Sequence, residues 1–176
     1  MEKEWDIIEV LRHSRHDWLN KLQLIKANLD LGRIDRAKKV IDEIVIETQH
    51  ETKLSNLSLP KFAALLLKTN WENHSFRLEY EVFQDSEYIK IDDGSLADWT
   101  KSFFNCLDQA IEAFQENDLS ITIEPQSNGI RFFFDFRGII SNNQLMETFM
   151  ASSVINAEVK ELSDSELALE VFMPVM

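Results

Sequence analysis

The chain has 176 residues, enough for one domain or two small ones. Hydrophobic residues make up 44% and charged residues 28% of it, and its apolar runs are far shorter than the roughly 18 residues of a membrane span. The net charge of −13 argues against binding to nucleic acid, which needs a basic surface. We therefore expect a globular protein with neither a membrane nor a nucleic acid as its partner.

The charge is unevenly distributed along the sequence. Residues 12–39 carry eight Lys and Arg against three Asp, a local charge of +5, so the remaining residues carry −18. This asymmetry favours a basic face that meets an acidic partner or a phosphorylated group. A solvated helix face without a partner is the alternative that charge alone leaves open.

The N-terminus and the cysteine content favour the cytoplasm. The first six residues are mostly charged and lack the apolar core of a signal peptide. Cys106 is the only cysteine, so a disulfide framework or a zinc cluster is not expected. It lies in an apolar run, which indicates a buried, unreactive thiol.

The first half of the chain predicts two helices. Residues 3–31 read as one helix that ends at Gly32, a typical C-terminal cap. A second helix is expected from Ile34 to about His50, and the short connection requires an antiparallel hairpin. Residues spaced by threes and fours form a stripe on the first helix that is apolar except for Arg15: Ile8, Leu11, Arg15, Trp18, Leu22, Ile25 and Leu29. The second helix has its own apolar face: Ile34, Ala37, Ile41, Ile44 and Thr48.

Two helices cannot bury apolar residues on all sides of a hairpin. A homodimer, in which two hairpins form a four-helix bundle, solves this problem. The C-terminal half of the chain could cover the hairpin instead, so the pattern alone leaves both arrangements open.

A loss of periodicity over residues 51–59 marks a domain boundary, and Pro60 begins a new helix. We predict a helical hairpin domain over residues 1–55 and a second domain over residues 60–176. Elements are expected in the second domain at residues 61–74 (helix), 76–83 (strand), 88–91 (short strand), 95–115 (helix), 119–123 (strand), 130–136 (strand), 143–151 (helix), 154–162 (strand) and 167–173 (strand). Short turns between strands predict an α+β sandwich, with helices over one face of a mostly antiparallel sheet.

His16 is the strongest candidate for chemistry. A histidine nitrogen can accept a phosphoryl group and form a phosphoramidate, and the transfer depends on positioning and charge neutralisation. Arg12, Arg15 and Lys21 could supply positive charge, and Asn20, one turn on, could hydrogen-bond the ring or the phosphoryl oxygens. Asp17 could orient the ring, although a direct successor points away from it on a helix. A surface histidine without chemistry is the alternative on pattern alone.

The other histidines carry weaker signals. His13 and His16 are three residues apart, but two ligands without a carboxylate cluster are too few for a metal site. His50 and His74 are isolated and are expected to be exposed or structural. We predict no metal and no cofactor in this chain.

The run from Leu11 to Ile25 resembles the phospho-acceptor box of the citrate and dicarboxylate sensor histidine kinases, which have an Arg-His-Asp-aromatic-x-Asn core. Residues 31–34 resemble the hairpin turn of that group. The resemblance is closer to the sporulation initiation phosphotransferase B family, and there it continues through residues 55–57 and 78–82. It implies a dimeric four-helix bundle with an exposed phospho-acceptor, His16, supported by Arg15, Asp17, Asn20 and Lys21.

The same resemblance implies a C-terminal domain shaped like a degenerate histidine-kinase ATPase domain. The run from Asn105 to Ala113 resembles the magnesium-binding motif of the kinases, with Gln109 in place of its second Asn. The run from Asp135 to Gly138 corresponds to their glycine box but has one glycine, and no glycine follows Gly138. Phosphate cradling by backbone amides needs those glycines, so we expect the fold without ATP binding.

The expected function is therefore a phosphorelay histidine phosphotransferase that controls sporulation initiation. His16 would accept a phosphoryl group from an aspartyl phosphate on one response-regulator receiver domain and pass it to the aspartate of a second. Magnesium would come with the receiver. A non-catalytic dimeric scaffold that sequesters regulators and a divergent histidine kinase are the alternatives.

Overall fold

The computed structural model describes residues 5–83 and 89–176. The chain forms two compact units, Met1–Gln49 and His50–Met176. Its helices are α1 (Ile7–Asp30), α2 (Ile34–Ser55), α3 (Pro60–Thr69), α4 (Asp93–Ala110) and α5 (Asn143–Ala151). Its strands are β1 (Arg77–Val82), β2 (Asp118–Gln126), β3 (Gly129–Arg137), β4 (Ala157–Leu162) and β5 (Glu166–Pro174).

Helix α1 begins at Ile7, later than the predicted start at residue 3. Asp6 has an extended conformation and its carboxylate accepts the Glu9 backbone N–H at 2.8 Å, which is an N-cap. Trp5 precedes the cap and is not helical. The start of the predicted helix at residues 3 and 4 lies outside the described residues.

Gly32 ends α1 as predicted. Its φ of +69° is left-handed, its N–H bonds the Leu29 carbonyl at 2.9 Å, and the Arg33 N–H bonds the Asn28 carbonyl at 2.8 Å. This pair of hydrogen bonds is a Schellman motif, which satisfies the last carbonyls of α1 and reverses the chain. Helix α2 then begins at Ile34.

Helix α2 continues to Ser55, beyond the predicted end near His50. The heptad pattern stops because the helix changes its packing partner. Leu54, and after the helix Leu57 and Leu59, are buried in the core of the unit that begins at His50.

The second unit contains a five-stranded mixed sheet in the order β1-β2-β3-β5-β4. β1 pairs in parallel with β2 and the other pairings are antiparallel, in agreement with the predicted mostly antiparallel sheet. Alternate residues of β1, β2, β3 and β5 pack in one continuous core with α3 and α4, whereas the edge strand β4 has no buried residue. Cross-strand pairs such as Ile121 with Phe134 and Phe134 with Leu169 line that face.

Two predicted helices are shorter in the structure. Helix α3 ends at Thr69 because the Asn70 side chain bonds both the N–H and the carbonyl of Leu78 and so takes part in strand pairing. Helix α4 ends at Ala110 because Ser141 and Asn142 donate their N–H groups to the Ala110 carbonyl.

The predicted strands also differ at two places. Strand β4 begins at Ala157 instead of Val154. The Val154 side chain is almost fully exposed and lies outside the sheet. In the predicted strand at residues 88–91, Tyr88 lies outside the described residues and residues 89–91 are not in a strand. The helices of residues 5–83 and 89–176 include none that is long and apolar enough to cross a membrane.

Candidate functional site

His16 lies in the middle of α1, with its side chain 72% exposed. The amide nitrogen of Asn20 is 3.2 Å from His16 Nδ1, and an Asp17 carboxylate oxygen is 3.8 Å from the same atom. Among the described residues, no group hydrogen-bonds His16 Nε2. The described contacts of the His16 ring therefore all lie at Nδ1, and Nε2 has no hydrogen bond within the described part of the chain.

Asp17 lies closer to the ring than its position in the sequence predicts. Successive helical residues point about 100° apart, and the expectation was that Asp17 points away from His16. The carboxylate nevertheless bends back to within ion-pair distance of Nδ1. A carboxylate near Nδ1 favours a proton on that nitrogen. In that tautomer Nε2 has the lone pair, and the Asn20 amide must turn its oxygen, in place of its nitrogen, towards Nδ1.

Helix α1 has three faces, and His16 lies on the outward one. Lys21, about 140° around the helix from His16, pairs with Glu47 of α2 at 2.7 Å. Further along the same face, Asn28 is buried, as is Ala37 on α2. This polar seam joins the two helices of the hairpin.

The apolar stripe covers the third face, on the other side of His16. Leu22 is about 120° from His16 in the direction opposite to Lys21. Most of the stripe on α1 is exposed in the single chain: Ile8, Leu11, Trp18, Leu22 and Leu29. Neighbouring apolar positions on α2 are exposed as well: Ile34, Ile41 and Val45. Exposed apolar area of this extent marks an interaction surface.

The predicted supporting residues are not equally placed. Asn20 is one turn from His16 and contacts it, and Asp17 is near the ring. Lys21 is only 29% exposed, pairs with Glu47 and lies 5.5 Å from the Trp18 ring, so it faces the hairpin seam. Arg15 is exposed and lies about 100° from His16, as the polar member of the otherwise apolar stripe.

The stretch that resembles the magnesium-binding motif has another use here. The carboxylate of Asp108 accepts the Ser75 N–H at 2.7 Å and contacts His74 Nδ1 at 2.6 Å. Asn105 and Gln109 are exposed on α4. Asp108 therefore ties α4 to the segment that leads into β1.

His74 is held by two carboxylates. Burial alone would lower the pKa of His74, but the hydrogen bond and charge of Asp108 and the charge of Glu72, 3.5 Å away, outweigh it and raise the pKa above 6.5. The ring also stacks on Phe76, with the centroids 4.9 Å apart. His74 is thus a structural histidine, one of the two roles expected for it.

The stretch that resembles the glycine box makes contacts with other residues of the chain. Asp135 is exposed and its carboxylate is 3.5 Å from Arg137. A Cβ on Gly138 would come within 2.2 Å of the Asn117 side-chain oxygen, so the backbone there is closely packed. Asn117 also donates to the carbonyls of Ser75 and Glu112. Among the described residues, no cluster of three or more His, Cys, Asp and Glu could hold a metal ion.

Sequence reasoning gave His13 no role beyond the rejected metal pair. The structure places it on the outward face of α1, one turn before His16, with its ring centroid 5.0 Å from that of Trp5. The signal in the sequence was its spacing of three residues from His16.

Comparison with known proteins identifies the family. A family model described as sporulation initiation phospho-transferase B, C-terminal, matches residues 58–174, and one described as a Spo0B-type sensor kinase alpha-helical domain matches residues 1–57. The sporulation initiation phosphotransferase B of Bacillus subtilis (strain 168) is 34% identical over 170 residues, which cover 94% of this chain and 88% of that protein.

The solved structures have lower sequence identity to this chain than the Bacillus subtilis protein has. The solved structure of a bacterial phosphotransferase has 10% identity and a TM-score of 0.40, over 96% of this chain and 98% of its own. The histidine kinase AdeS of Acinetobacter baumannii has 11% identity and a TM-score of 0.41, over 90% and 98% of the two chains. The assignment rests on the sequence matches: this chain belongs to the sporulation initiation phosphotransferase B family.

Proposed function

We propose that this chain is a phosphorelay histidine phosphotransferase and that His16 carries the phosphoryl group between two response-regulator receiver domains. The observation that carries the proposal is the exposed His16 ring, held at Nδ1 by Asn20 and Asp17 with Nε2 open. The family membership supports the phosphotransferase activity, and the relative's name connects it with sporulation initiation.

The transfer step follows from the geometry of the ring. The lone pair of His16 Nε2 attacks the phosphorus of an aspartyl phosphate on the donor receiver. A P–N bond forms as the P–O bond to the aspartate breaks, and the aspartate leaves as a carboxylate with the bonding electrons. The ring keeps its Nδ1 proton and becomes an imidazolium that carries the phosphoryl group. Reversal of this step on the aspartate of a second receiver completes the relay.

Asn20 and Asp17 suit this step because both lie beside Nδ1. Attack through Nε2 requires the neutral tautomer with its proton on Nδ1. The Asn20 side chain can accept that hydrogen bond through its amide oxygen when the amide is turned by about 180° about its Cβ–Cγ bond. The Asp17 carboxylate stabilises the positive charge that the ring gains on phosphorylation.

The proposal includes no nucleotide bound by this chain. The packing at Gly138, the outward position of Asp135 and the engagement of Asp108 with His74 support it. These contacts involve residues in the two stretches that resemble the nucleotide-binding motifs of the kinases. The receiver would supply the magnesium ion that neutralises the negative charge of the phosphoryl group during the transfer.

The proposal also includes a homodimer with a four-helix bundle. The exposed apolar stripes of α1 and α2 support it, because a second hairpin would remove them from water. His16 lies away from both the stripe and the α2 seam, so a bundle would leave it accessible. We place the protein in the cytoplasm, where response regulators act and where a free thiol such as Cys106 stays reduced.

A labelling experiment tests the proposal. The purified protein is mixed with a receiver domain charged with radiolabelled phosphate from acetyl phosphate, and separately with radiolabelled ATP. We expect acid-labile, base-stable label from the receiver and none from ATP. His16→Ala should reduce the label to background because no other nitrogen occupies that position.

His50→Gln is the matched control. It removes another imidazole but keeps an acceptor for the Val82 N–H, which His50 Nδ1 accepts at 3.1 Å. It should label like the unmodified protein, and circular dichroism should show that both variants are folded. Label that persists in His16→Ala would overturn the site. A stable complex with an unchanged receiver phosphorylation state would favour the scaffold, and label from ATP would favour the kinase.

A further inference from the structure

We propose that Arg12 and His13 bind the phosphoryl group from the N-terminal side of His16, and that Trp5 holds the His13 ring in position. This inference rests on the proposed phosphotransfer at His16. It assigns the positive charge and the hydrogen-bond donors that this transfer needs to residues one turn before the acceptor.

The helix geometry selects these two residues. Relative to His16, Arg12 points about 40° to one side and His13 about 60° to the other, whereas Lys21 is about 140° away. Side chains three and four residues apart on a helix are neighbours, with Cβ atoms about 5–6 Å apart. Arg12 and His13 therefore border the space next to His16 on its N-terminal side, as Asn20 does on the C-terminal side.

The availability of the cations points the same way. Lys21, Lys26 and Lys39 are paired with carboxylates. Arg12 is exposed and makes no ion pair or hydrogen bond with any residue that the structure describes. A guanidinium suits a phosphoryl group because its fork of N–H donors matches two oxygens at once.

Trp5 gives the His13 ring a defined place. Their ring planes meet at 61° in an edge-type contact. The Asp6 cap fixes the turn that carries Trp5, because its carboxylate and carbonyl accept the N–H groups of Glu9 and Val10. A ring that is oriented before the partner arrives loses less entropy when it donates its N–H to a phosphoryl oxygen.

Two substitutions at His13 separate binding of the phosphoryl group from packing. His13→Phe keeps a ring against Trp5 but has no N–H, and His13→Gln keeps an N–H donor but loses the ring. The probe is a receiver domain charged with acetyl phosphate, and the readout is the maximal single-turnover rate of transfer to His16. We expect His13→Phe to slow transfer about ten-fold or more and His13→Gln to stay within about three-fold.

Arg12→Gln should slow the maximal rate by about ten-fold as well. Arg36→Gln, which removes the same charge from α2, is its control and should stay within about two-fold, since it changes only the general attraction of an acidic receiver. Trp5→Leu should slow transfer when His13 is present and add nothing to His13→Phe, because a positioning residue acts through its partner.

The outcomes separate this inference from the proposed function. If the unmodified protein takes no label from the receiver, the proposed function fails. If it takes label but His13→Phe and Arg12→Gln transfer as fast as Arg36→Gln, only the inference fails. A slow His13→Gln beside a fast His13→Phe would show that His13 has a packing role, which also overturns the inference.

Discussion

The chemistry of His16 depends on what lies beside each of its ring nitrogens. Asn20 and Asp17 approach Nδ1, and the helix leaves Nε2 towards solvent. In the proposed transfer the reactive acyl phosphate arrives on the receiver domain, so the His16 ring would need no unusual burial or strain to act as a nucleophile. The proposed function therefore assigns the reactivity to the phosphorylated receiver domain and the selectivity to the orientation of the His16 ring.

His74 shows the opposite use of an imidazole. It is enclosed, stacked on Phe76 and held between Asp108 and Glu72. Its proton is part of the fold, because it compensates a carboxylate that α4 brings into a partly buried position.

The raised pKa of His74 predicts a stability that depends on pH. Its contribution should be complete below about 6.5, where the unfolded chain also holds the proton, and should be lost as the pH rises through the higher folded pKa. Urea unfolding at several pH values between 6 and 9 measures this, and ~6.5 marks the start of the window. Asp108→Asn should flatten the fall on the alkaline side, and an equal slope in both proteins would contradict this account.

At the scale of elements, the turn between α1 and α2 sets the antiparallel hairpin. Gly32 adopts a left-handed conformation that side chains disfavour, and the Schellman hydrogen bonds at Leu29 and Asn28 depend on it. Nothing lies within 4 Å of the position that a Cβ would take, so a substitution there would cost conformational energy only.

Gly32→Ala should lower the free energy of unfolding of the hairpin by about 1 kcal/mol. Thermal unfolding followed at 222 nm, a far-ultraviolet wavelength that reports helix content, measures the loss. Gly94→Ala is the control, because its φ is not left-handed and its new Cβ would make only ordinary contacts at 3.5 Å. If both substitutions had the same effect, the left-handed turn would not be the cause.

At the scale of the whole molecule, the two units bury their apolar residues differently. The unit from His50 to Met176 has a continuous core that includes six fully enclosed phenylalanines, Phe62, Phe103, Phe104, Phe132, Phe134 and Phe136. The unit from Met1 to Gln49 keeps most of its apolar side chains on the surface of the single chain. The second unit therefore has a core of its own, whereas the apolar stripe of the first is exposed in the single chain.

Association of two hairpins predicts a mass of twice 20.6 kDa in sedimentation equilibrium. Leu22→Lys should shift the protein towards monomer, because it would bury an unpaired charge at a cost of several kcal/mol. Ile46→Lys is a matched control: both side chains are about half exposed, but Ile46 points away from the stripe and from α1. A monomeric unmodified protein, or equal dissociation of both variants, would argue against the bundle.

Much of the fold could be predicted from local patterns. The hairpin turn at Gly32, the helix at residues 143–151 and the alternation in β2, β3 and β5 are local signals, and the structure confirms each. The ends of α3 and α4 could not be predicted, because they depend on bonds to other elements: Asn70 bonds Leu78 in β1, and the Ala110 carbonyl accepts the N–H groups of Ser141 and Asn142. The predicted end of α2 was wrong for a related reason, because the last turn of this helix packs into the core of the unit that begins at His50.

The candidate site divides in the same way. The sequence by itself determined that His16 lies on a long, basic, amphipathic helix, because helical spacing and family motif are both written in local order. Only the tertiary structure decided which neighbours face the ring: it turned Lys21 towards Glu47, bent Asp17 back to Nδ1 and set Trp5 against His13. The reason is that side-chain direction depends on the partner across the seam and on the cap before the helix, and neither is specified by spacing alone.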